Sequence, residues 1–207
     1  MGTRHIIEII KDGNVAVRQY GQWDGYAETA AYHLRNFIRE HGADTVRSLI
    51  DKTQIQKKDG VPISPDGFHM AESEMRTTEP IFYIWQLRRL GFFSDYIPNF
   101  WVACIPAAIE KFGLEETMSS FSITWETGYK ILDVIAIFTS FKEFDEKKLK
   151  FPVYLEDENC EPGRKIIINL DDETFTCEYF DIKYTWGFKQ LPTLAELRTL
   201  DKACRQK

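Results

Sequence analysis

The residues best suited to chemistry in this chain lie together in a short, glycine-flanked segment near the N-terminus. The segment 21–26 reads Gly-Gln-Trp-Asp-Gly-Tyr, so it brings two aromatic rings, a carboxamide and a carboxylate into one loop. Aromatic rings form flat apolar walls, and polar groups at their edges select a ligand through hydrogen bonds. We call residues 21–26 the aromatic loop, and its composition predicts a site for a small polar ligand.

Cationic and aromatic neighbours extend this predicted site. Stacking of a base on an aromatic ring contributes roughly 1 to 3 kcal/mol in nucleotide-binding sites, and Arg side chains hold phosphates through paired hydrogen bonds. The predicted ligand-binding residues are Arg4, Arg18, Tyr20, Gln22, Trp23, Asp24 and Tyr26, with Arg35 as a further member of a basic pocket formed with Arg4 and Arg18.

Each of these residues also has a structural interpretation. At least two of the rings of Tyr20, Trp23 and Tyr26 fit packing in the hydrophobic core. Asp24 fits a turn, or the cap of a helix that begins just after it. Arg18 fits a surface cation on the outward face of a strand.

The elements on either side of the aromatic loop are predicted by hydrophobic periodicity. Residues 3–10 and 15–20 are β-branched, apolar-rich runs joined by Asp12-Gly13, a strong hairpin signal because Gly supplies the positive φ of a tight turn. A helical period then runs from Ala27 to Gly42, a favourable C-terminal stop. Asp44 is placed to cap a shorter helix that ends near residue 52.

The middle of the chain predicts helices interrupted by one long polar excursion. Residues 53–79 contain prolines and glycines without periodicity, which favours a long loop that is either mobile or a functional flap. Helical periodicity marks residues 79–93, with an end before Gly91, and a segment from Ser94 or Asp95 towards Gly113. A further helical segment starts near Thr127, although residues 135–138 equally fit a strand.

The last third of the chain returns to strand character and closes with a helix. Residues 151–155, 165–170 and 174–180 predict strands, the last two joined as a hairpin, and residues 193–204 predict a helix. Hairpins near both ends with helices between them predict an α+β fold, in which an antiparallel or mixed sheet built from the N-terminal and C-terminal hairpins is covered by the central helices. The 207 residues suit a single globular domain, 1–207.

Composition and spacing exclude several classes of function. A net charge of -6 without a long Lys/Arg run argues against a nucleic acid polymer as partner. Prolines or charges interrupt the longest apolar windows, which fall short of the ~20 residues that span a membrane. The four cysteines form no Cys-x-x-Cys pair and the four histidines lack the spacing of a zinc site, so we predict no metal, no cofactor and a reducing, cytoplasmic setting.

The opening of the chain resembles an uncharacterised protein family of phages, bacteria and fungi. The residues that carry the resemblance are Gly2-Thr3-Arg4, Asp12-Gly13 and the run from Gln19 to Tyr26. Residues 165–171 also resemble a later strand pair of that family. Ala27 stands where that family usually has proline. The resemblance implies no established activity. It suggests a phage protein that interferes with a host process by sequestering a signalling nucleotide or by blocking a host protein.

A second pattern is similar to the N-terminal-nucleophile hydrolases, which open with a nucleophile on a first strand followed by a tight hairpin. In that interpretation Thr3 attacks an amide through its hydroxyl, its own α-amine acts as base, and Arg18 and Asp24 orient the substrate. Removal of methionine exposes Gly2, which has no nucleophile. The leading prediction is therefore a binding protein for a small polar ligand or a host protein, and the alternative is an amidohydrolase with Thr3 as catalytic residue.

Overall fold

The chain forms an α+β fold around a five-stranded mixed sheet, as the sequence predicts. The computed structural model describes residues 3–21, 24–56, 79–89, 100–123, 127–154 and 163–205. In chain order the elements are β1 (His5–Lys11), β2 (Asn14–Gly21), a π-helical turn (Ala27–Ala31), α1 (Tyr32–Asp51), β3 (Thr53–Gln56), α2 (Glu79–Arg89), α3 (Phe100–Phe112), α4 (Leu114–Ile123), a 3₁₀ turn (Gly128–Lys130), α5 (Ile131–Ser140), α6 (Lys142–Glu146), β4 (Phe151–Tyr154), β5 (Arg164–Asn169), β6 (Thr174–Tyr179), β7 (Ile182–Gly187), a second 3₁₀ turn (Phe188–Gln190) and α7 (Leu194–Arg205).

Strands from both ends of the chain form the main sheet, in the order β2-β1-β5-β6-β7. The pair β1–β5 is parallel and the other neighbours are antiparallel, so the N-terminal and C-terminal hairpins join as predicted. Strand β1 lies inside the sheet and its residues His5 to Ile9 are buried. This position explains its nearly continuous apolar sequence, since a strand with neighbours on both sides has little access to water.

The two hairpin turns lie at the same end of the sheet and are joined by hydrogen bonds. Asp12 and Gly13 have φ angles of 53° and 72°, the positive values that the Asp-Gly pair predicts. Their backbone N–H groups donate to the two carboxylate oxygens of Asp171 at 2.9 and 2.8 Å. These bonds lower the pKa of Asp171, so its carboxylate stays charged where it holds the first hairpin to the second.

Helices α1, α5 and α7 contribute buried side chains to one core with the inner face of the sheet. The predicted end of the first helix at Gly42 is a break, because Gly42 has a φ of 79°, and helical geometry then resumes as far as Asp51. Asp44 lies just after this break and its carboxylate pairs with Arg47 at 2.9 Å. In α7 the predicted inward residues Leu197 and Leu200 are buried.

Four helices and strands were not predicted. Strand β3 lies at the start of the expected loop 53–79 and pairs in parallel with β4 in a small second sheet, while residues 57–78 of that loop lie outside the described residues. Helices α4 and α6 and strand β7 were also missed. Among the described helices, none combines the length and the apolar character that crossing a membrane requires.

The N-terminus of the π-helical turn is capped by a distant carboxylate. Asp201 in α7 is buried, and its two oxygens accept hydrogen bonds from the backbone N–H groups of Ala27 and Glu28, each at 2.9 Å. Tyr26 occupies the N-cap position without a side-chain cap. The expected capping role of Asp24 is therefore wrong, and Asp201 fixes the start of the helix that follows the aromatic loop.

We expect Asp201→Asn to lower the free energy of unfolding by about 1 to 3 kcal/mol, because one buried backbone N–H then faces an amide instead of an oxygen. Chemical denaturation of the purified variant measures the change. Lys202→Gln is the matched control, since Lys202 lies on the same helix and is exposed. Equal stabilities of the two variants would contradict the capping role.

Candidate functional site

His5 is enclosed by three glycines at the end of the sheet. A Cβ atom built on Gly21 would lie 2.2 Å from Cε1 of His5, one on Gly25 would lie 2.8 Å from Nδ1, and one on Gly128 would lie 3.4 Å from Nε2. The imidazole therefore occupies space that a side chain at Gly21 or Gly25 would need. Positions 21 and 25 of the aromatic loop require glycine because both lie against this ring.

The environment of His5 keeps its side chain neutral. Burial lowers the pKa of His5 to about 4, the backbone of Thr3 opposes this fall, and the cations Arg164 and Lys130 add to it. Neither ring nitrogen has a hydrogen-bond partner of good geometry among the described residues. The backbone N–H of Gly25 donates to the carbonyl oxygen of Thr3 at 2.9 Å, which closes the loop beside the ring.

The register of four strands places a row of residues side by side on the core face of the sheet. His5 pairs with Gly21 across β1 and β2. Arg164 precedes the parallel Ile6–Lys165 pair by one position, so it lies next to His5, and it pairs with Tyr179 across β5 and β6. Because side chains alternate between faces along a strand, all members of this row point towards the helices.

Besides His5, two groups in this row are hydrogen-bond donors without acceptors among the described residues. The Nε atom of Arg164 and the hydroxyl of Tyr179 are buried and have no hydrogen-bond partner among the described residues. Burial raises the pKa of Tyr179 well above its usual value, so the hydroxyl keeps its proton. The guanidinium carbon of Arg164 lies 4.8 Å from the ring centre of Phe180, 5.8 Å from that of Tyr26 and 5.9 Å from that of Tyr179.

A series of ring contacts leads from His5 through Tyr129 to a histidine–aspartate pair. Tyr129 lies 5.9 Å from His5 and 5.1 Å from His33 between ring centres. Nε2 of His33 and Oδ2 of Asp133 are 2.6 Å apart, which joins α1 to α5. Burial, then the charges of Asp24 and Asp133, raise the pKa of Tyr129 to about 12, so this hydroxyl also keeps its proton.

We call His5, Tyr26, Tyr129, Arg164 and Tyr179 the sheet-end site. It joins neutral ring and hydroxyl groups to one guanidinium, with aromatic rings around the cation. Among the described residues no group of three or more His, Cys, Asp or Glu side chains is arranged to hold a metal ion.

The structure places only some of the residues that the sequence predicts for ligand binding in the sheet-end site. Tyr26 lies within the sheet-end site through its contact with Arg164. Asp24 is exposed in the same loop, with a φ of 58°. Thr3 precedes β1 and is held through its carbonyl oxygen, as described above. Gln22 and Trp23 lie outside the described residues, so their roles stay predictions.

The predicted basic residues do not meet in a described pocket. Arg18 and Tyr20 pair across the strands with Glu8 and Ile6, which places them on the sheet face opposite His5. Arg18 is buried and forms an ion pair with Glu8 at 2.8 Å, so the interpretation of Arg18 as a surface cation is wrong.

The other two candidate cations, Arg4 and Arg35, lie apart from this buried pair. Arg4 is exposed before β1. Arg35 lies on α1, where its guanidinium donates to the side chain of Asn36 at 2.7 Å.

Sequence reasoning missed Arg164 and Tyr179, which carry the unsatisfied donors. Both lie at the ends of correctly predicted strands, and a polar residue at the end of an apolar strand is a recognisable signal. What was missing is the parallel pairing of β1 with β5, because only that pairing brings Arg164 beside His5.

Comparison with known proteins adds no relative. No protein-family model, no curated protein and no solved structure matches the chain. The class that the structure defines is an α+β protein with a mixed sheet and a polar cluster at one sheet end.

Substitution of Gly21 tests the slot around His5. We expect Gly21→Ala to lower the free energy of unfolding by about 1 to 3 kcal/mol, because its Cβ overlaps the imidazole. Gly187→Ala is the matched control, since a Cβ there meets nothing within 4 Å and the φ of Gly187 is -75°.

Urea denaturation measures the free energy of unfolding of both glycine variants. The single variant His5→Ala and the double variant His5→Ala/Gly21→Ala then show how far the cost of Gly21→Ala depends on the His5 ring. We expect the alanine at position 21 to cost much less when the ring is absent. An equal cost in both backgrounds would contradict the overlap.

The lowered pKa of His5 predicts a loss of stability in mild acid. The unfolded chain binds a proton at about pH 6.5, whereas folded His5 binds it at about pH 4. The contribution of His5 to the free energy of unfolding is therefore complete above about pH 6.5, and it falls by about 3 kcal/mol as the pH drops to about 4. Long-range ¹H–¹⁵N NMR should find the His5 ring neutral at pH 5, and a ring that titrates near pH 6.5 would contradict this.

Proposed function

We propose that the protein binds a small polar ligand at the sheet-end site and holds it without converting it. The observation that carries this proposal is that two buried donors on paired strand residues, Nε of Arg164 and the hydroxyl of Tyr179, lack acceptors among the described residues. More than 90% of buried polar groups in folded proteins have a partner, and each one left without a partner costs about 1 to 3 kcal/mol. A ligand that accepts both hydrogen bonds recovers this cost.

The ligand that fits these surroundings has a flat face. The half-buried ring of Tyr26 and the exposed ring of Phe180 lie near the guanidinium, so a planar group has aromatic surfaces to stack on. The aromatic loop extends from Tyr26, and its predicted members Gln22, Trp23 and Asp24 supply further edges for recognition. A nucleotide combines a flat base with oxygen acceptors and is the ligand we favour.

The biological setting we propose is interference with a host process in the cytoplasm. Its support is the resemblance of the N-terminal segment to a protein family of phages, bacteria and fungi, together with the buried thiols of Cys104 and Cys177, which form no disulfide. Sequestration of a signalling nucleotide needs tight binding and no turnover. Blocking of a host protein is the second route to the same effect.

Amidohydrolysis by Thr3 is the alternative function. It is favoured by the position of Thr3, which lies two residues before His5 and whose carbonyl oxygen is held by the Gly25 N–H. The mechanism requires a chain that begins at Thr3, because only a free α-amine on that residue can act as base for its hydroxyl.

Native mass spectrometry of the protein from its own cellular context tests these functions when the denatured intact mass of the same sample is also measured. We expect a retained small molecule that is lost on denaturation, in a chain that still carries Gly2. Tyr26→Leu should lose the bound molecule while the far-UV spectrum stays unchanged, and Tyr83→Leu, a ring that contacts Phe112 away from the sheet-end site, is the control. A chain that begins at Thr3 would support hydrolysis, and an intact chain with nothing bound would contradict small-ligand binding.

A further inference from the structure

We propose that the sheet-end site recognises an anionic group, a carboxylate or a phosphate, through Arg164 and Tyr179. This inference rests on the proposed function and names the chemical class of the ligand. Its basis is that both groups can donate a proton for which no described acceptor is present: a guanidinium has five N–H donors and no acceptor, and a protonated phenol has one O–H donor beside the lone pairs of its oxygen. Donors without acceptors on paired residues of one sheet face call for oxygen acceptors on the ligand.

The charge of Arg164 points in the same direction. Several other described arginines form ion pairs: for example, Arg18 pairs with Glu8, Arg47 with Asp44 and Glu173, and Arg198 with Glu28. No carboxylate of the described residues forms an ion pair with Arg164. A guanidinium that is partly removed from water without a counter-ion is unfavourable, and an anion bound through two parallel hydrogen bonds compensates for it.

Two cations act on the ring of His5, beside the proposed anion contacts. Arg164 and Lys130 both disfavour a proton on His5, which shows that their charges reach the imidazole. A neutral His5 leaves one ring nitrogen as donor and one as acceptor, so it adjusts to a ligand whether or not the anion carries a proton.

The aromatic rings around Arg164 indicate how the anion is presented. Phe180 has a φ of 56° and its side chain is 53% exposed. Its ring covers Gly163, where a Cβ would lie 2.6 Å from ring atom Cε1. Phe180 and Tyr26 therefore offer apolar surface beside the guanidinium, which fits an anion attached to a flat ring better than a bare inorganic ion.

Binding of matched anionic and neutral ring compounds tests the inference. The probes are benzoate against benzamide, phenyl phosphate against phenol, adenosine monophosphate against adenosine, and inorganic phosphate alone, titrated by NMR at constant ionic strength. We expect at least one anionic probe to bind at least about tenfold more tightly than its neutral partner, because hydrogen bonds to charged groups are the stronger ones. The carboxylate and phosphate arms then distinguish the two sources of the anion.

Variants assign the effect to named groups. Arg164→Gln should weaken the anionic probe at least about tenfold and leave the neutral probe unchanged, and Tyr179→Phe should weaken it by a smaller factor because only one hydroxyl is lost. Arg39→Gln, an exposed arginine of α1, is the matched control and should bind as the parent does. Arg164→Lys keeps the charge without the planar fork and should bind with intermediate affinity.

The outcomes separate this inference from the proposed function. Equal binding of anionic and neutral probes, or full anion affinity in Arg164→Gln, would overturn anion recognition. The comparison of anionic with neutral probes needs only the parent protein, so it tests anion recognition even if a variant fails to fold. A neutral molecule retained in native mass spectrometry would leave the binding function standing while the anion is rejected, and an intact chain that retains nothing and binds no probe would remove both.

Discussion

The packing of the His5 imidazole against glycine backbone is the contact on which the functional end of this protein depends. The ring fills the space beside Gly21, Gly25 and Gly128, and so determines where the aromatic loop leaves β2, where it returns, and how the 3₁₀ turn before α5 approaches the sheet. Close packing of this kind tolerates little change in volume. The loop, the sheet and the turn are therefore three parts of one packed unit.

A β-bulge in the first hairpin creates this arrangement. The register shifts between Ile9 and Ile10, where Ala16 is the extra residue of β2. A hairpin without the shift would set His5 opposite Tyr20, whose side chain would occupy the space that Gly21 leaves open. It would also move Arg18 away from Glu8, because a slip of one residue sends every side chain of a strand to the other face.

Local sequence signals predict most of the fold, whereas the bulge is one reason why the site is only partly predictable. Asp12-Gly13 predicts the hairpin turn, and apolar runs predict β1, β5 and β6, because both signals are local. Register after a bulge is set by packing that no local pattern records, so the sequence suggests a surface cation at Arg18, which the structure buries against Glu8. Arg164 was missed for a related reason, since its place beside His5 arises from a parallel pairing of distant strands. Strand β7, half exposed at the sheet edge, gave a weak apolar pattern.

The interior place of β1 has a consequence for synthesis of the chain. Strand β1 is synthesised long before its parallel partner β5 and the rest of that half of the sheet, because helices α1 to α6 lie between them in the chain. Until then the first hairpin presents an apolar edge with unsatisfied backbone groups, which is the kind of surface that pairs with other chains. Contacts between distant segments also slow folding. The nascent protein therefore passes through a stage in which an open strand edge is exposed before its partner strand has been made.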